Sequence, residues 1–209
     1  MKKLFLSSFA CKTLDKIHDL LPDEPKNLSV AFVPTAADPY EDKEFVAVDR
    51  NKLVHMGFTV FDLDIKNKTR EELEKNLEGV HAIAVAGGNT YYLLYHAQKS
   101  GFIDLVPKLI ERGVIYIGSS AGSILACPTI EAARLFDPPS IVPDLTNYAG
   151  MGLVDFLVIP HFEKPRYLER MRKTVEEWSK KKFHIFPLTD LQAILINDTE
   201  VTFVEVAAE

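Results

Sequence analysis

A serine flanked by glycines follows a short apolar segment in the middle of the chain. Residues 118–122 read GSSAG, a G-x-S-x-G pattern centred on Ser120, and the apolar residues 114–117 directly precede it. Because small, helix-compatible residues follow, the pattern predicts a strand, a sharp turn and a helix, the local structure of a nucleophile elbow. Such a turn exposes the serine hydroxyl and places the free Ala121 amide to stabilise an oxyanion. Ser119 is a second candidate nucleophile, although the glycine spacing favours Ser120; an ordinary strand-to-helix turn is the alternative interpretation.

Two adjacent glycines end another apolar segment. Residues 81–86 (HAIAVA) are followed by Gly87, Gly88, Asn89 and Thr90. Ligands of open α/β sheets bind at the carboxyl ends of strands, where glycines let backbone amides approach them. We therefore expect Gly88 to be the second oxyanion donor and Asn89 to contact substrate. The same residues also suit a plain turn in which Asn89 or Thr90 caps the next helix.

His161 is the candidate general base, because a nucleophilic serine needs a neutral imidazole beside it. Among the six histidines, His161 alone follows an apolar segment, residues 156–159, at the end where Ser120 should also lie. Two aspartates are candidates to orient the imidazole. We favour Asp190, which lies downstream of His161; Asp137, which lies between Ser120 and His161, stays open as the rival.

The elements that position these residues alternate along the chain. Apolar segments predict strands at residues 4–8, 28–33, 58–63, 81–86, 114–117, 156–159, 183–186, 193–196 and 202–206. Helices are predicted at residues 14–21, 41–56, 69–77, 90–99, 102–112, 121–126 and 167–181. Because the strands are apolar throughout, we expect a mostly parallel sheet with helices on both faces, a three-layer α/β/α domain that spans residues 1–209. Residues 128–155 are rich in proline and have no predicted helix, and long irregular segments of this kind are commonly functional.

Composition excludes several function classes. The 209 residues carry a formal charge of -6, which argues against a nucleic-acid or anionic-membrane partner. Cys11 and Cys127 form no disulfide or zinc pattern, and no segment has the length of a membrane span. We expect a cytoplasmic protein that exists as a monomer or weak homodimer and needs no metal or organic cofactor.

The motifs together resemble the peptidase E family of serine peptidases, which includes the aspartyl dipeptidases and is related to the cyanophycinases. The resemblance rests on GSSAG, on residues 125–130 (LACPTI), on residues 86–90 (AGGNT) and on residues 160–162 (PHF), and it extends over nearly the whole chain. It implies a fold similar to class I glutamine amidotransferases, with serine in place of cysteine. It also implies a triad of Ser120, His161 and either Asp190 or Asp137, with Gly88 and Ala121 as oxyanion donors. Peptidase E itself cleaves short peptides that begin with aspartate.

One segment departs from the family pattern. Residues 131–139 read EAARLFDPP where peptidase E carries an Asn-Asp-Met stretch, so the preference for N-terminal aspartate is open. Arg134 is our candidate to bind an acidic substrate, and Arg166 and Arg170 are equal alternatives. Two other functions stay open: an esterase of the α/β-hydrolase kind, in which the acid precedes the histidine, and a non-catalytic binding module on the same fold.

Overall fold

The computed structural model describes residues 1–165 and 167–207. The strands are β1 (Lys3–Ser7), β2 (Ser29–Val33), β3 (Thr59–Asp62), β4 (Ala82–Val85), β5 (Ile115–Ser119), β6 (Phe156–Ile159), β7 (His184–Pro187), β8 (Gln192–Asn197) and β9 (Glu200–Glu205). The α-helices are α1 (Ala10–Thr13), α2 (Glu44–His55), α3 (Arg70–Asn76), α4 (Thr90–Ser100), α5 (Phe102–Glu111), α6 (Ala121–Leu125) and α7 (Leu168–Trp178). In the part of the chain described, no helix is both long and apolar enough to cross a membrane.

Seven strands form the central sheet in the order β3-β2-β4-β5-β1-β8-β9. The first five are parallel to one another, whereas β8 runs antiparallel to β1, and β9 runs antiparallel to β8. The predicted mostly parallel sheet is therefore confirmed. Because β4, β5 and β1 are adjacent and parallel, the loops that follow them meet at one edge of the sheet.

Both faces of the sheet are covered, as the apolar strands predict. In β1, Leu4 and Leu6 pack into one core with α3 to α7, and Phe5 packs into a second core with α1 and α2. All three side chains are fully buried. Alternate residues of one strand thus serve two helical layers, which confirms the predicted three-layer architecture.

Strands β6 and β7 lie outside the central sheet and pair only with each other within the described residues. They are parallel, with Phe156 opposite His184 and Ile159 opposite Pro187. The loops after the two strands are joined by hydrogen bonds from Leu188 N to Ile159 O and from Phe162 N to Leu188 O. This small sheet brings the segment after β6 against the segment after β7.

The helix predicted at residues 14–21 is a 3₁₀ helix over Leu14–Leu20. Its buried side chains, Leu14, Ile17 and Leu20, are spaced by three residues, which places them on one side of a helix with three residues per turn. Residues 128–155 contain only two short 3₁₀ segments and one isolated bridge, so the prediction of an irregular segment is confirmed.

Candidate active site

The loops after the adjacent strands β4, β5 and β1 form one wall of a pocket of about 360 Å³. The irregular segment after α6 and the segment between β6 and α7 contribute further walls. The described residues that line the pocket are Ser8, Phe9, Tyr40, Asp42, Phe45, Asp49, Gly87, Gly88, Ser119, Ser120, Phe136, Asp137, His161, Lys164, Tyr167 and Met171.

Ser120 lies at the bend between β5 and α6, with φ 49° and ψ -108°. A positive φ is unfavourable for serine, and it is maintained by hydrogen bonds from Ser120 N to Ser7 O and from Ile124 N to Ser120 O. The bend also requires Gly122, because a Cβ atom there would lie 2.2 Å from Val85 O. The sequence therefore builds the expected elbow, and its strained residue is the serine.

His161 and Asp190 complete a hydrogen-bonded chain that begins at Ser120. His161 Nε2 lies 2.9 Å from Ser120 Oγ, and His161 Nδ1 lies 2.5 Å from Asp190 Oδ1. The imidazole and the carboxyl group are both largely buried, with 18% and 17% of their side chains exposed. The β6–β7 pair explains their proximity, because His161 follows β6 by two residues and Asp190 follows β7 by three.

Ser8 and Lys164 hold Asp190 in place. Ser8 Oγ donates to Asp190 Oδ1 at 2.9 Å and accepts from His161 N at 2.7 Å, and Lys164 Nζ lies 2.8 Å from Asp190 Oδ2. Burial alone would raise the pKa of Asp190, but hydrogen bonds from His161, Lys164 and Ser8 outweigh it and hold that pKa well below its usual range. The carboxylate is therefore ionised and fixed against the imidazole. No sequence motif marks Ser8 or Lys164 as part of the site.

Gly88 and Ala121, the two expected oxyanion donors, both lie next to the pocket: Gly88 is part of its lining, and Ala121 directly follows Ser120. Ala121 N is the first amide of α6, and neither amide donates to an acceptor within the part of the chain described. Gly88 has φ 142°, and a Cβ atom there would lie 2.2 Å from Ala36 O. Glycine is therefore required for the backbone to pass beside the pocket.

Asp137 lines the pocket but is not the hydrogen-bond partner of His161. Its Oδ2 accepts from Thr90 N at 2.8 Å and from Thr90 Oγ1 at 2.5 Å. Of the two candidate acids, the structure thus brings Asp190, and not Asp137, against the imidazole. Burial raises the pKa of Asp137 to about 6, and the Thr90 hydrogen bonds only partly offset this effect.

Two side chains expected to bind substrate are not among the described residues that line the pocket. Asn89 caps α4: its Oδ1 accepts from Tyr92 N at 2.9 Å, and its side chain is buried against Pro138 O. Arg134 is exposed on a 3₁₀ segment outside the pocket lining. Neither position supports the expected contact with substrate. Arg170 is also exposed and outside the lining, and Arg166 falls outside the described residues.

A further buried carboxyl group, Asp49 of α2, also lines the pocket and was not singled out from the sequence. Asp49 Oδ1 accepts from Cys11 N at 2.6 Å, and the Ser119 hydroxyl, which accepts from Ala10 N, also bonds to Asp49. Burial raises the pKa of Asp49 to about 6, an effect that these two hydrogen bonds reduce. The Ser119 hydroxyl is therefore bonded to Ala10 N and Asp49, whereas the Ser120 hydroxyl is bonded to His161.

Comparison with known families matches the model of peptidase family S51 to residues 6–204. The chain belongs to peptidase family S51. It is thus a peptidase, as the resemblance to peptidase E predicts. Within the described residues, no group of three or more His, Cys, Asp and Glu side chains is arranged to hold a metal ion.

Proteins similar to this chain match most of its length. A Listeria monocytogenes protein named an uncharacterized peptidase is 33% identical over 204 residues, covering 96% of this chain and 97% of its own. A probable alpha-aspartyl dipeptidase of Drosophila melanogaster is 30% identical over 168 residues, covering 78% of this chain and 66% of its own. A crystal structure from Listeria monocytogenes EGD-e, provisionally named peptidase E, has a TM-score of 0.91 and 30% identity, covering 99% of this chain and 100% of the other.

Proposed function

We propose that this chain is a serine-type peptidase that hydrolyses short peptides, in the manner of a dipeptidase, through an acyl-enzyme. The observation that carries the proposal is the chain of hydrogen bonds from Ser120 Oγ through His161 to Asp190, at 2.9 and 2.5 Å. Ser120 lies on a strained elbow, and the amides of Gly88 and Ala121 donate to no acceptor among the described residues. Membership of the S51 family, with relatives named for dipeptidase activity, supports a peptide substrate.

The geometry suggests a specific sequence of proton transfers. His161 Nε2 takes the proton of Ser120 as its Oγ attacks the peptide carbonyl, and Asp190 stabilises the resulting imidazolium. The amides of Gly88 and Ala121 hold the oxyanion. His161 then donates the proton to the leaving amine as the C–N bond breaks, and a water molecule, deprotonated by the same imidazole, releases the acyl group.

The order of the three groups along the chain favours a peptidase of this family over an α/β-hydrolase esterase. Here the serine comes first, then the histidine and then the acid, whereas the acid precedes the histidine in α/β-hydrolases. Turnover of short peptides, compared with turnover of p-nitrophenyl esters, separates the two. We also propose a reducing, cytoplasmic environment, which is supported by Cys11 and Cys127, both unpaired thiols.

Labelling with a fluorophosphonate tests the nucleophile directly. We expect one covalent adduct on Ser120, and its complete loss in Ser120→Ala with an unchanged melting temperature. Ser119→Ala is the matched control, because its hydroxyl is bonded to Asp49 and Ala10 and should not react. Absence of labelling in folded wild-type protein would support a non-catalytic binding module instead, and an adduct on Ser119 would place the nucleophile one residue earlier.

A further inference from the structure

Asp137 presents to the pocket a carboxylate oxygen, Oδ1, that accepts no hydrogen bond from the described residues. The residue is 8% exposed and lines the same pocket as Ser120 and His161. Thr90 supplies both hydrogen bonds to Oδ2, whereas Oδ1 accepts none from the residues that the structure describes. A buried carboxylate with so few donors gains strongly from a cationic ligand, because its desolvation is otherwise poorly compensated.

The position of Asp137 relative to the oxyanion donors limits what that ligand is. Thr90, which binds Asp137, follows Gly88 by two residues, so the carboxylate lies on the wall that carries the Gly88 amide. A peptide carbonyl polarised by this amide places its own α-amino nitrogen only two bonds from the carbonyl carbon. In a peptide cleaved after its first residue, that nitrogen is a free ammonium group, which is the natural partner of a carboxylate.

The other charges of the pocket are also unfavourable to an acidic substrate. Among the described lining residues, Asp42, Asp49 and Asp137 are acidic, and Lys164 is the one lysine. Lys164 Nζ already pairs with Asp190 Oδ2 at 2.8 Å. A carboxylate on the substrate would therefore meet several charges of its own sign, and no uncommitted lysine is present among the described lining residues to receive it.

Aromatic side chains provide the remaining surface. Phe9, Tyr40, Phe45, Phe136 and Tyr167 all line the pocket. Rings of this kind bind large neutral side chains through apolar contact and weak quadrupole interactions.

Building on the proposed function, we propose that Asp137 binds the free α-ammonium group of the substrate, and that the pocket selects a large neutral first residue over aspartate. This assignment makes Asp137 a specificity-determining residue rather than the acid of the triad. It also separates this chain from relatives named for aspartyl substrates.

The test uses dipeptides X-Leu in which X is Phe, Leu, Asn or Asp, together with N-acetyl-Phe-Leu, and the full-length protein. We expect kcat/KM for Phe and Leu to exceed that for Asp by about tenfold or more. Acetylation of Phe-Leu should lower kcat/KM by about 30-fold or more, because it removes the charged hydrogen bond. Asp137→Asn keeps an acceptor for Thr90 and should lose a similar factor on Phe-Leu, but little on the acetylated peptide. Asp144→Asn, an exposed residue of the same irregular segment, is the matched control.

Fluorophosphonate labelling of Ser120 distinguishes this proposal from the proposed function. We expect Asp137→Asn to be labelled at the wild-type rate, because the probe has no ammonium group. If Asp137→Asn loses the same factor in kcat/KM on free and acetylated peptides, or labels more slowly, Asp137 positions the catalytic groups. Either result would overturn the proposal that Asp137 binds the α-ammonium group. A preference for Asp-Leu would overturn the proposed selection of a large neutral first residue. The same holds if the protein still labels at Ser120 but cleaves no free dipeptide. In both cases the protein would remain a serine hydrolase. Failure of Ser120 to label would remove the proposed function itself.

Discussion

Asp190 and Asp49 are both buried carboxyl groups near Ser120, but their surroundings differ in electrostatic character. Asp190 receives hydrogen bonds from His161, Ser8 and Lys164, and its pKa lies well below its usual range. Asp49 receives hydrogen bonds only from Cys11 N and Ser119, no cation pairs with it among the described residues, and its pKa is raised to about 6. Hydrogen bonds thus keep Asp190 negatively charged beside the imidazole, whereas burial disfavours the negative charge of Asp49.

The largest expected effect is at Asp190, whose negative charge is stabilised by hydrogen bonds. Asp190→Asn should slow fluorophosphonate labelling of Ser120 by about 10³-fold or more, because the neutral amide neither orients the imidazole correctly nor stabilises its charged form. The pseudo-first-order rate of labelling, measured by mass spectrometry, gives the factor. Asp137→Asn is the comparison variant, since Thr90 and not His161 binds that carboxyl group. An equal loss in the two variants would contradict the assignment of Asp190 as the acid of the triad.

At Asp49, where burial disfavours the negative charge, we expect an effect on the free energy of unfolding. The folded protein holds a proton on Asp49 that the unfolded chain releases between about pH 4 and pH 6, so this group lowers the free energy of unfolding as pH rises through that window. Asp49→Asn removes the effect. Relative to wild type, the variant should therefore gain about 2 kcal/mol of stability between pH 4 and pH 8.

Urea unfolding of both proteins at the two pH values measures this gain. Using a difference between pH values cancels any constant effect of the altered hydrogen bond with Ser119. Asp144→Asn, which changes an exposed carboxyl group, should show almost no such difference. If the relative stability of Asp49→Asn does not change with pH, the Asp49 carboxyl group is not strained by burial.

Ser8→Ala should have the next largest effect, because it removes the hydroxyl that holds Asp190 against His161. Ser8 is fully buried, and its hydroxyl joins Asp190 Oδ1 to the His161 amide. We expect labelling of Ser120 to slow about tenfold to 30-fold, with a stability loss of about 1 kcal/mol. Ser100→Ala, which removes another buried hydroxyl far from the pocket, should lose similar stability at an unchanged labelling rate. Equal rates in the two variants would show that Ser8 has only a structural role.

The sequence predicts the parts of this site that depend on neighbouring residues. The elbow around Ser120 and the glycine at position 88 follow from strand, turn and helix preferences within a few residues, and the three-layer fold follows from apolar strands alternating with helices. The helix start at Thr69 is equally local, since its side chain and that of Glu72 form a reciprocal cap. In each case the physical cause lies within the segment itself.

The parts that the sequence leaves open depend on pairing between distant segments. Local sequence alone does not decide between Asp190 and Asp137, and the parallel pairing of β6 with β7 brings Asp190 to His161. Ser8 has no local signature, because a serine that follows an apolar strand is common. Asp49 did carry a signal: it lies three residues after Val46 and four before Leu53, on the buried face of α2. An aspartate at such a position indicates a buried polar contact, although not which contact it is.

Substitution of Lys164 should have the smallest effect of the groups that bind Asp190. Lys164 is 39% exposed at its side chain and binds Asp190 Oδ2, the oxygen that does not contact His161. Because His161 and Ser8 still hold Oδ1, Lys164→Met should slow labelling of Ser120 only about twofold to fivefold, as expected for a partly exposed ion pair. Lys164→Arg, which keeps the charge, should label close to the wild-type rate. A loss in Lys164→Met as large as that in Asp190→Asn would show that orientation of the acid depends on Oδ2, and that the bonds from His161 and Ser8 are not sufficient to hold it.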